Sequence, residues 1–307
     1  MPFTEVTREK SKLRLALAGV SGSGKTLSAL YIAYGITGDW GKIAMIDTEH
    51  GRAKFYANRS DLHTGTFLYQ EMTPPYSPEK YNQMVAEGAA AVGPNGVVIV
   101  DSFSHAWNNE GGILDIKSEI EKRPNKNSYT AWADAGKFQN KLVNTVLAVN
   151  CHTIVTMRVK MEYAMEQNER GKMQPVKIGL APVQRDDTEY EFDVVLNISR
   201  DHTAFASKDT TFLDTWSGIV TPDLGKSLKD WLDNGVEPEL CEACQHRITP
   251  AGGKTIADIA TGTFAAYGKK LCWNCAAREL RNRRKKEEVT TNVAAPTVSG
   301  GTGATSA

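Results

Sequence analysis

Residues 19–26 read Gly-Val-Ser-Gly-Ser-Gly-Lys-Thr, which fits the pattern G-x-x-x-x-G-K-[ST]. Glycines at 19, 22 and 24 let successive backbone N–H groups turn toward one centre, where they cradle phosphate oxygens at a helix N-terminus. Gly19, Val20, Ser21, Gly22, Ser23, Gly24, Lys25 and Thr26 are therefore the candidate nucleotide-binding residues. In that chemistry the Lys25 ammonium reaches the β- and γ-phosphates of ATP and the Thr26 hydroxyl ligates Mg²⁺. The apolar run 97–100 ends on Asp101, a carboxylate where phosphate-bound Mg²⁺ needs one. Hydrolysis also needs a group that orients or deprotonates water. Glu49, just beyond the run 43–46 in IDTEHGRA, is the candidate; by spacing alone it is equally a solvated loop carboxylate.

Two further groups of residues carry chemistry. Cys241-Glu-Ala-Cys244 and Cys272-Trp-Asn-Cys275 are separated by 27 residues. Two such knuckles present four thiolates to one ion, the donor set of a tetrahedral Zn²⁺ site. Gly252-Gly253 and Tyr267-Gly268 offer hairpin turns between them, which predicts a zinc ribbon whose folding energy comes from the metal. A redox dithiol pair is the alternative. Residues 158–185 hold Arg158, Lys160, Arg170, Lys172, Lys177 and Arg185 interleaved with Tyr163, Met161, Met165 and Met173. Cations for phosphates and flat or soft groups for bases suit single-stranded nucleic acid, and a solvated charged hairpin has the same composition.

These residues need elements to hold them. The apolar run 13–18 enters the glycine turn and then TLSALYIAYGI, whose apolar residues recur at helical spacing: a strand–loop–helix unit. Runs 42–46, 66–69, 97–100 and 153–157 read as strands, and 79–92, 113–122 and 129–149 as helices. Strands alternating with helices predict an α/β domain with a mostly parallel central sheet. The segment 158–185 is polar, contains Gly171 and Pro175, and is expected to be a long functional loop. Runs 192–198, 203–206 and 211–213 suggest an antiparallel extension, 224–234 a closing helix, and Gly235 with Pro238 a boundary. The expected domains are 1–236, carrying the phosphate loop; 237–286, the cysteine module with its basic stretch Arg278, Arg281, Arg283, Arg284, Lys285 and Lys286; and 287–307, a tail. The last 19 residues have neither charge nor aromatic rings, so the tail is expected to be disordered.

Composition narrows the class. With 36 Lys+Arg against 36 Asp+Glu, no overall field draws the chain to nucleic acid or membrane. The balance is uneven, since residues 237–307 hold 10 Lys/Arg against 7 Asp/Glu. At 41% hydrophobic and 23% charged residues, wholesale disorder is excluded. No apolar run approaches the roughly 18 residues of a bilayer span, and MPFTEVTREKSK has no apolar signal region. The expectation is a cytoplasmic protein with reduced thiols.

The string AMIDTEHGRAKFYA at 44–57 resembles the segment of RecA-type recombinases in which an aspartate ends the second strand and a glutamate two residues later activates water. The order of phosphate loop, Asp-Thr-Glu-His, strand-end aspartate and basic loop after the next strand also runs as in RecA-like cores. More closely, residues 10–235 resemble phage RecA-like ATPases implicated in single-strand annealing. The resemblance implies a RecA-like P-loop core with Glu49, Lys25 and Asp101 as catalytic residues, and a DNA-binding loop using Arg158, Lys160, Arg170 and Lys172. It further implies a basic finger reaching in from a neighbouring subunit, Lys208 or Arg185. Where RecA proteins place a polar Asn-Gln switch, this chain has Thr156-Met157. Thr156 is the candidate sensor, and Met157 has no amide to hydrogen-bond. The function implied by the resemblance is that of a Mg²⁺-dependent ATPase in the cytoplasm, of the host if phage-encoded, that binds single-stranded DNA and promotes recombination or strand annealing. It would assemble as a filament or ring of copies of itself, with a single-strand binding protein or other replication proteins as further partners. An ATP-dependent adaptor or loader for replication proteins is the alternative. A small-molecule kinase is disfavoured, since the chain shows no basic lid and no acceptor-site pattern.

Overall fold

The computed structural model describes residues 7–167 and 173–293. They fall into two compact units, one spanning Lys10–Gly235 and one formed by the residues before Lys10 with those from Val236 onward.

The larger unit is built on strands β1 (Arg14–Gly19), β2 (Ile43–Asp47), β3 (Leu68–Glu71), β4 (Val97–Asp101), β5 (His152–Gln167), β6 (Met173–Pro182), β7 (Val194–Ile198), β8 (Thr203–Asp209) and β9 (Ser217–Ile219). Its helices are α1 (Lys25–Thr37), α2 (Pro78–Val92), α3 (His105–Asn108), α4 (Ile113–Glu121), α5 (Ser128–Ala148) and α6 (Pro222–Leu232). The sheet order is β3-β2-β4-β5-β1-β7-β8-β9. It is parallel from β3 to β7 and antiparallel from β7 to β9, the mostly parallel α/β sheet that the alternating pattern predicts. β2 and β4, IAMID and VVIVD, are buried at every position because helices cover both faces. Side chains alternate across β1: Leu15 and Leu17 join α1 and α6 in one core layer, Ala16 joins α2 and α5 in the other. α1 and α6 cross where Gly35 faces Gly225. A Cβ on Gly35 would lie 2.0 Å from the Pro222 carbonyl oxygen, so the contact admits no side chain.

Several elements depart from the sequence reading. The last short strand is Ser217–Ile219 and not 211–213, where Asp209 instead binds the Thr211 and Leu213 N–H groups and makes a turn. The expected loop at 158–185 is a long antiparallel hairpin: β5 runs on to Gln167 and pairs with β6 from Val159↔Pro182 onward. The alternation Arg158-Val159-Lys160-Met161 has the period of a strand, and it outweighs the charge and the Gly and Pro on which a loop would be predicted.

The smaller unit has a core of Cys241, Ile248, Ile259, Ala260, Leu271 and Cys275. Around it are α7 (Ile256–Tyr267), opened by a Thr255–Asp258 capping box, and α8 (Trp273–Val293). Among the described residues of this unit the expected ribbon of strands is not formed; isolated bridges at Leu240↔Arg247 and Ala251↔Lys254 precede two helices. Gly268 closes α7 in a left-handed conformation, φ 68°, where the sequence suggests a hairpin turn. α8 continues into the stretch read as tail, whose residues 294–307 lie outside the described ones.

Candidate functional site

Parallel register gathers the site. Asp47 of β2 pairs with Asp101 of β4, Val100 with Val155 of β5, and Gly19 of β1 with Arg158 of β5, so the carboxyl ends of four strands meet at the phosphate loop. Gly22 and Gly24 have φ of 78° and 91°, a region that side chains avoid. α1 then starts at Lys25 without a side-chain cap, leaving its first N–H groups to the loop. Ser23 is fully buried and its hydroxyl has no partner among the described residues. His202 closes the loop from β7–β8, its Nδ1 2.9 Å from the Ser23 carbonyl oxygen.

Lys25 Nζ donates to the carbonyl oxygens of Gly19 and Val20 at 3.0 and 2.9 Å. Burial lowers its pKa, and the charges of Asp101 and Glu49 oppose that. Thr26 Oγ1 donates to Asp101 Oδ2 at 2.6 Å, and Thr156 Oγ1 donates to Asp101 Oδ1. Asp101 is buried, which raises its pKa against the pull of the Thr156 and Thr26 hydrogen bonds. Its two carboxylate oxygens thus join the phosphate loop to the intervening strand β5. This cluster of a cation, a hydroxyl and a carboxylate beside free helix N–H groups suits a metal–polyphosphate ligand.

Glu49 sits just off β2. Asp47 orients it by accepting the Glu49 N–H at 2.6 Å, while also binding the Ala53 N–H and the Tyr69 hydroxyl. Arg158 comes to the same place, although 109 residues away in sequence. Its Nε and Nη2 both donate to Glu49 Oε1, at 2.9 and 2.6 Å. Behind the pair, Thr48 Oγ1 is 2.7 Å from His105 Nδ1 and accepts the Ser102 N–H, and Tyr81 donates to the Ser102 carbonyl oxygen. Burial, then the nearby Arg158 charge, lowers the His105 pKa. His105 Nε2 stands 3.9 Å from Glu49 Oε1. Sequence reasoning did not assign Asp47 or His105 a role; for Asp47 the signal was its place at the end of a buried strand.

The structure therefore brings together Gly19 to Thr26, Glu49, Asp101, Thr156 and Arg158. It does not bring the other candidates there. Lys160 is exposed on the hairpin opposite Ala181, and Arg170 and Lys172 lie outside the described residues. Arg158, expected on a DNA-contacting loop, is turned back onto Glu49. Lys208 pairs across from Val195, toward the opposite end of the sheet, and donates to the Tyr190 carbonyl oxygen. Arg185 reaches Asn140 of α5, 3.0 Å away.

In the smaller unit the four thiols of Cys241, Cys244, Cys272 and Cys275 lie within 4.8 Å of one another, with Cys244 and Cys272 sulfurs 3.8 Å apart. Against burial, backbone N–H groups of Cys272, Cys244 and Ala243 hold the Cys241 thiol down at about 6. Burial and the neighbouring thiols push Cys275 up to about 12. Four soft donors converging on one point fit a tetrahedral metal ion such as Zn²⁺.

No helix among the described residues is long and apolar enough to cross a membrane. A family model described as an AAA domain matches residues 11–221, which include every strand from β1 to β9. Among curated proteins, none matches the chain.

Proposed function

The chain belongs to the AAA-domain family of P-loop ATPases, and from that premise we propose that it hydrolyses ATP with Mg²⁺, binds single-stranded DNA along the β5–β6 hairpin, and acts in recombination or strand annealing. The observation that carries the reading is the Arg158–Glu49 pair, which ties the candidate water-activating carboxylate to the root of the basic hairpin.

The residues of Gly19–Gly24 would cradle the phosphates, with the Lys25 ammonium turned from its loop carbonyls to the β- and γ-oxygens. Thr26 and Asp101 would hold Mg²⁺, which when bound neutralises charge on the transferring phosphate. Glu49 would accept the proton of the attacking water, in a position held by Asp47. Two Arg158 donors occupy Glu49 Oε1, and Arg52 Nη1 stands 3.5 Å from Oε2, so the cations hold the carboxylate and weaken it as a base. An anionic strand on the hairpin draws Arg158 to its phosphates and releases Glu49 Oε1 from its two donors, so that DNA binding raises turnover. Met157 offers no amide at the usual switch position, and Arg158 next to it takes over that link. Cys241, Cys244, Cys272 and Cys275 would hold Zn²⁺, which ties the smaller unit together. Lys208 or Arg185 would complete the phosphate site of a neighbouring copy in a filament or ring, with replication proteins as further partners.

The test is ATP turnover by the full chain with and without single-stranded DNA. Stimulation of about tenfold or more is expected. Turnover indifferent to single strands would instead favour an ATP-organised adaptor for replication proteins.

A further inference from the structure

In the smaller unit a groove of about 310 Å³ opens between α7 and α8, at the lower end of the range in which ligands are held. Its wall is mostly apolar: Ile259 and Gly262 of α7 line it together with Trp273, Ala276, Ala277 and Leu280 of α8. Trp273 and Leu280 stay 47% and 43% exposed, large apolar surface that the core of the unit does not take up. Two polar side chains of the wall are engaged within the unit. Thr263 Oγ1 donates to the Ile259 carbonyl oxygen at 2.7 Å and accepts the Leu271 N–H at 2.9 Å, and the Asp258 carboxylate accepts the N–H and hydroxyl of Thr255. Charge is laid along the same side of α8. Trp273, Ala277 and Leu280 recur at helical spacing, and Arg281 and Arg284 follow four residues after Ala277 and Leu280, so the apolar stripe turns cationic within one turn. Arg281, Arg284 and Lys285 are all exposed. Glu279, the only carboxylate from Arg278 to Lys286, stands off that stripe and lines a different cavity. The cationic end lies at the C-terminus of α7, where Arg283 donates to the Ala266 carbonyl oxygen at 3.1 Å and covers the Tyr267 ring at 4.6 Å; Asp258 stands in the first turn of that helix.

An apolar groove that runs into cations at one end is complementary to a chain with an apolar anchor next to a run of acids. We propose that this groove docks an acidic segment of a protein partner, with a leucine- or phenylalanine-sized side chain between α7 and α8 and its carboxylates on Arg281, Arg284 and Lys285. Apolar burial supplies affinity, and the cations set direction, since acids at the other end would meet Asp258. A nucleic-acid strand fits less well. Its bases present polar edges, and Ile259, Gly262, Ala276, Ala277 and Leu280 offer them no side-chain hydrogen bond, whereas an aliphatic or phenyl side chain needs none. The partner is another protein, because the residues of this chain outside the described ones hold no run of acids: 1–6 have Glu5, 168–172 have Glu169, and 294–307 have none. The inference does not rest on the function proposed for the nucleotide site.

The test titrates the full-length protein calorimetrically with acetyl-Leu-Phe-Leu-Gly-Asp-Glu-Asp-amide and with the same residues in reverse order, which covers both chain directions. Saturable binding of one of them with Kd below about 1 mM is expected, on the order of tenfold weaker when Asn-Gln-Asn replaces the acids or Ser-Gly-Ser replaces the apolar residues. Leu280→Asp should weaken the acidic peptide about tenfold or more. Arg281→Glu with Arg284→Glu should lose it and bind instead a version carrying Lys-Arg-Lys in place of the acids; both variants should keep ATP affinity unchanged. The two arginines are exposed, so their reversal keeps the test open if Leu280→Asp disturbs the packing of the unit. No saturation in either direction, equal affinity for the neutral peptide, or undiminished affinity in both variants would overturn the proposal. So would an oligothymidylate that binds the unaltered protein and is lost in Leu280→Asp, which assigns the groove to nucleic acid.

Discussion

In the unit Lys10–Gly235, two apolar layers close over both faces of a parallel sheet, and the residues of the phosphate site stand at strand ends that those layers hold in register. In the smaller unit six buried residues make the core, and two of them are cysteines of the four-thiol cluster. The first therefore has enough buried surface to place its chemistry before any ligand arrives, whereas in the second the ligand site and the core are the same residues. Preorganisation in one unit, and the metal-dependent folding proposed for the other, fit that difference in core size.

The largest effect should come from metal removal. A chelator is expected to unfold residues 236–293 and leave 10–235 intact, read as hydrogen-exchange protection lost in the first and kept in the second, since structural zinc contributes on the order of 10 kcal/mol to such modules. Equal protection with and without chelator would put the smaller unit on the same footing as the larger. Within the larger unit, Glu49→Gln should keep ATP affinity and reduce turnover by about 10²–10⁴-fold, a loss of chemistry on an unchanged scaffold; full turnover would remove Glu49 from the reaction. A smaller change is expected of Arg158→Ala: basal turnover rises several-fold and the response to single strands is lost. Alanine at Arg158, Lys160, Arg170 and Lys172 together should abolish single-strand binding, lower its salt dependence and spare nucleotide binding.

A separate effect concerns how firmly the sheet holds itself. Burial pushes the His152 ring down to about 3 from an ordinary value of 6.5, and its Nδ1 accepts the Leu13 N–H at 3.0 Å. The unfolded chain binds that proton first as pH falls, so stability is whole above about pH 6.5 and declines toward about pH 3, by about 1.4 kcal/mol per unit. Denaturant midpoints at about pH 7.5 and about pH 5.5, either side of the ordinary histidine value, measure it, and His152→Gln should flatten the difference.

Legibility in the sequence tracks how local each feature is. The loop Gly19–Thr26 is plain because its glycines, lysine and threonine act within one turn. Asp101 is found from the apolar run it ends, and the four cysteines from their paired spacing. Glu49 needs a resemblance to rise above a solvated carboxylate, because nothing near it in sequence shows what faces it. The hairpin is misjudged as a loop because composition speaks louder than the period-two alternation of Arg158 to Met161.

Sequence alone determined the alternating strands and helices from β1 to α5, the phosphate loop, the strand-end carboxylate and the thiol set, since each depends on backbone preference or on spacing within a few residues. Tertiary structure decided the rest. Only the parallel register of β1, β2, β4 and β5 brings Arg158 to Glu49 and Thr156 to Asp101. The physical reason is that register is set by how the two core layers fill, a property of many distant side chains together, and no short window of residues carries it.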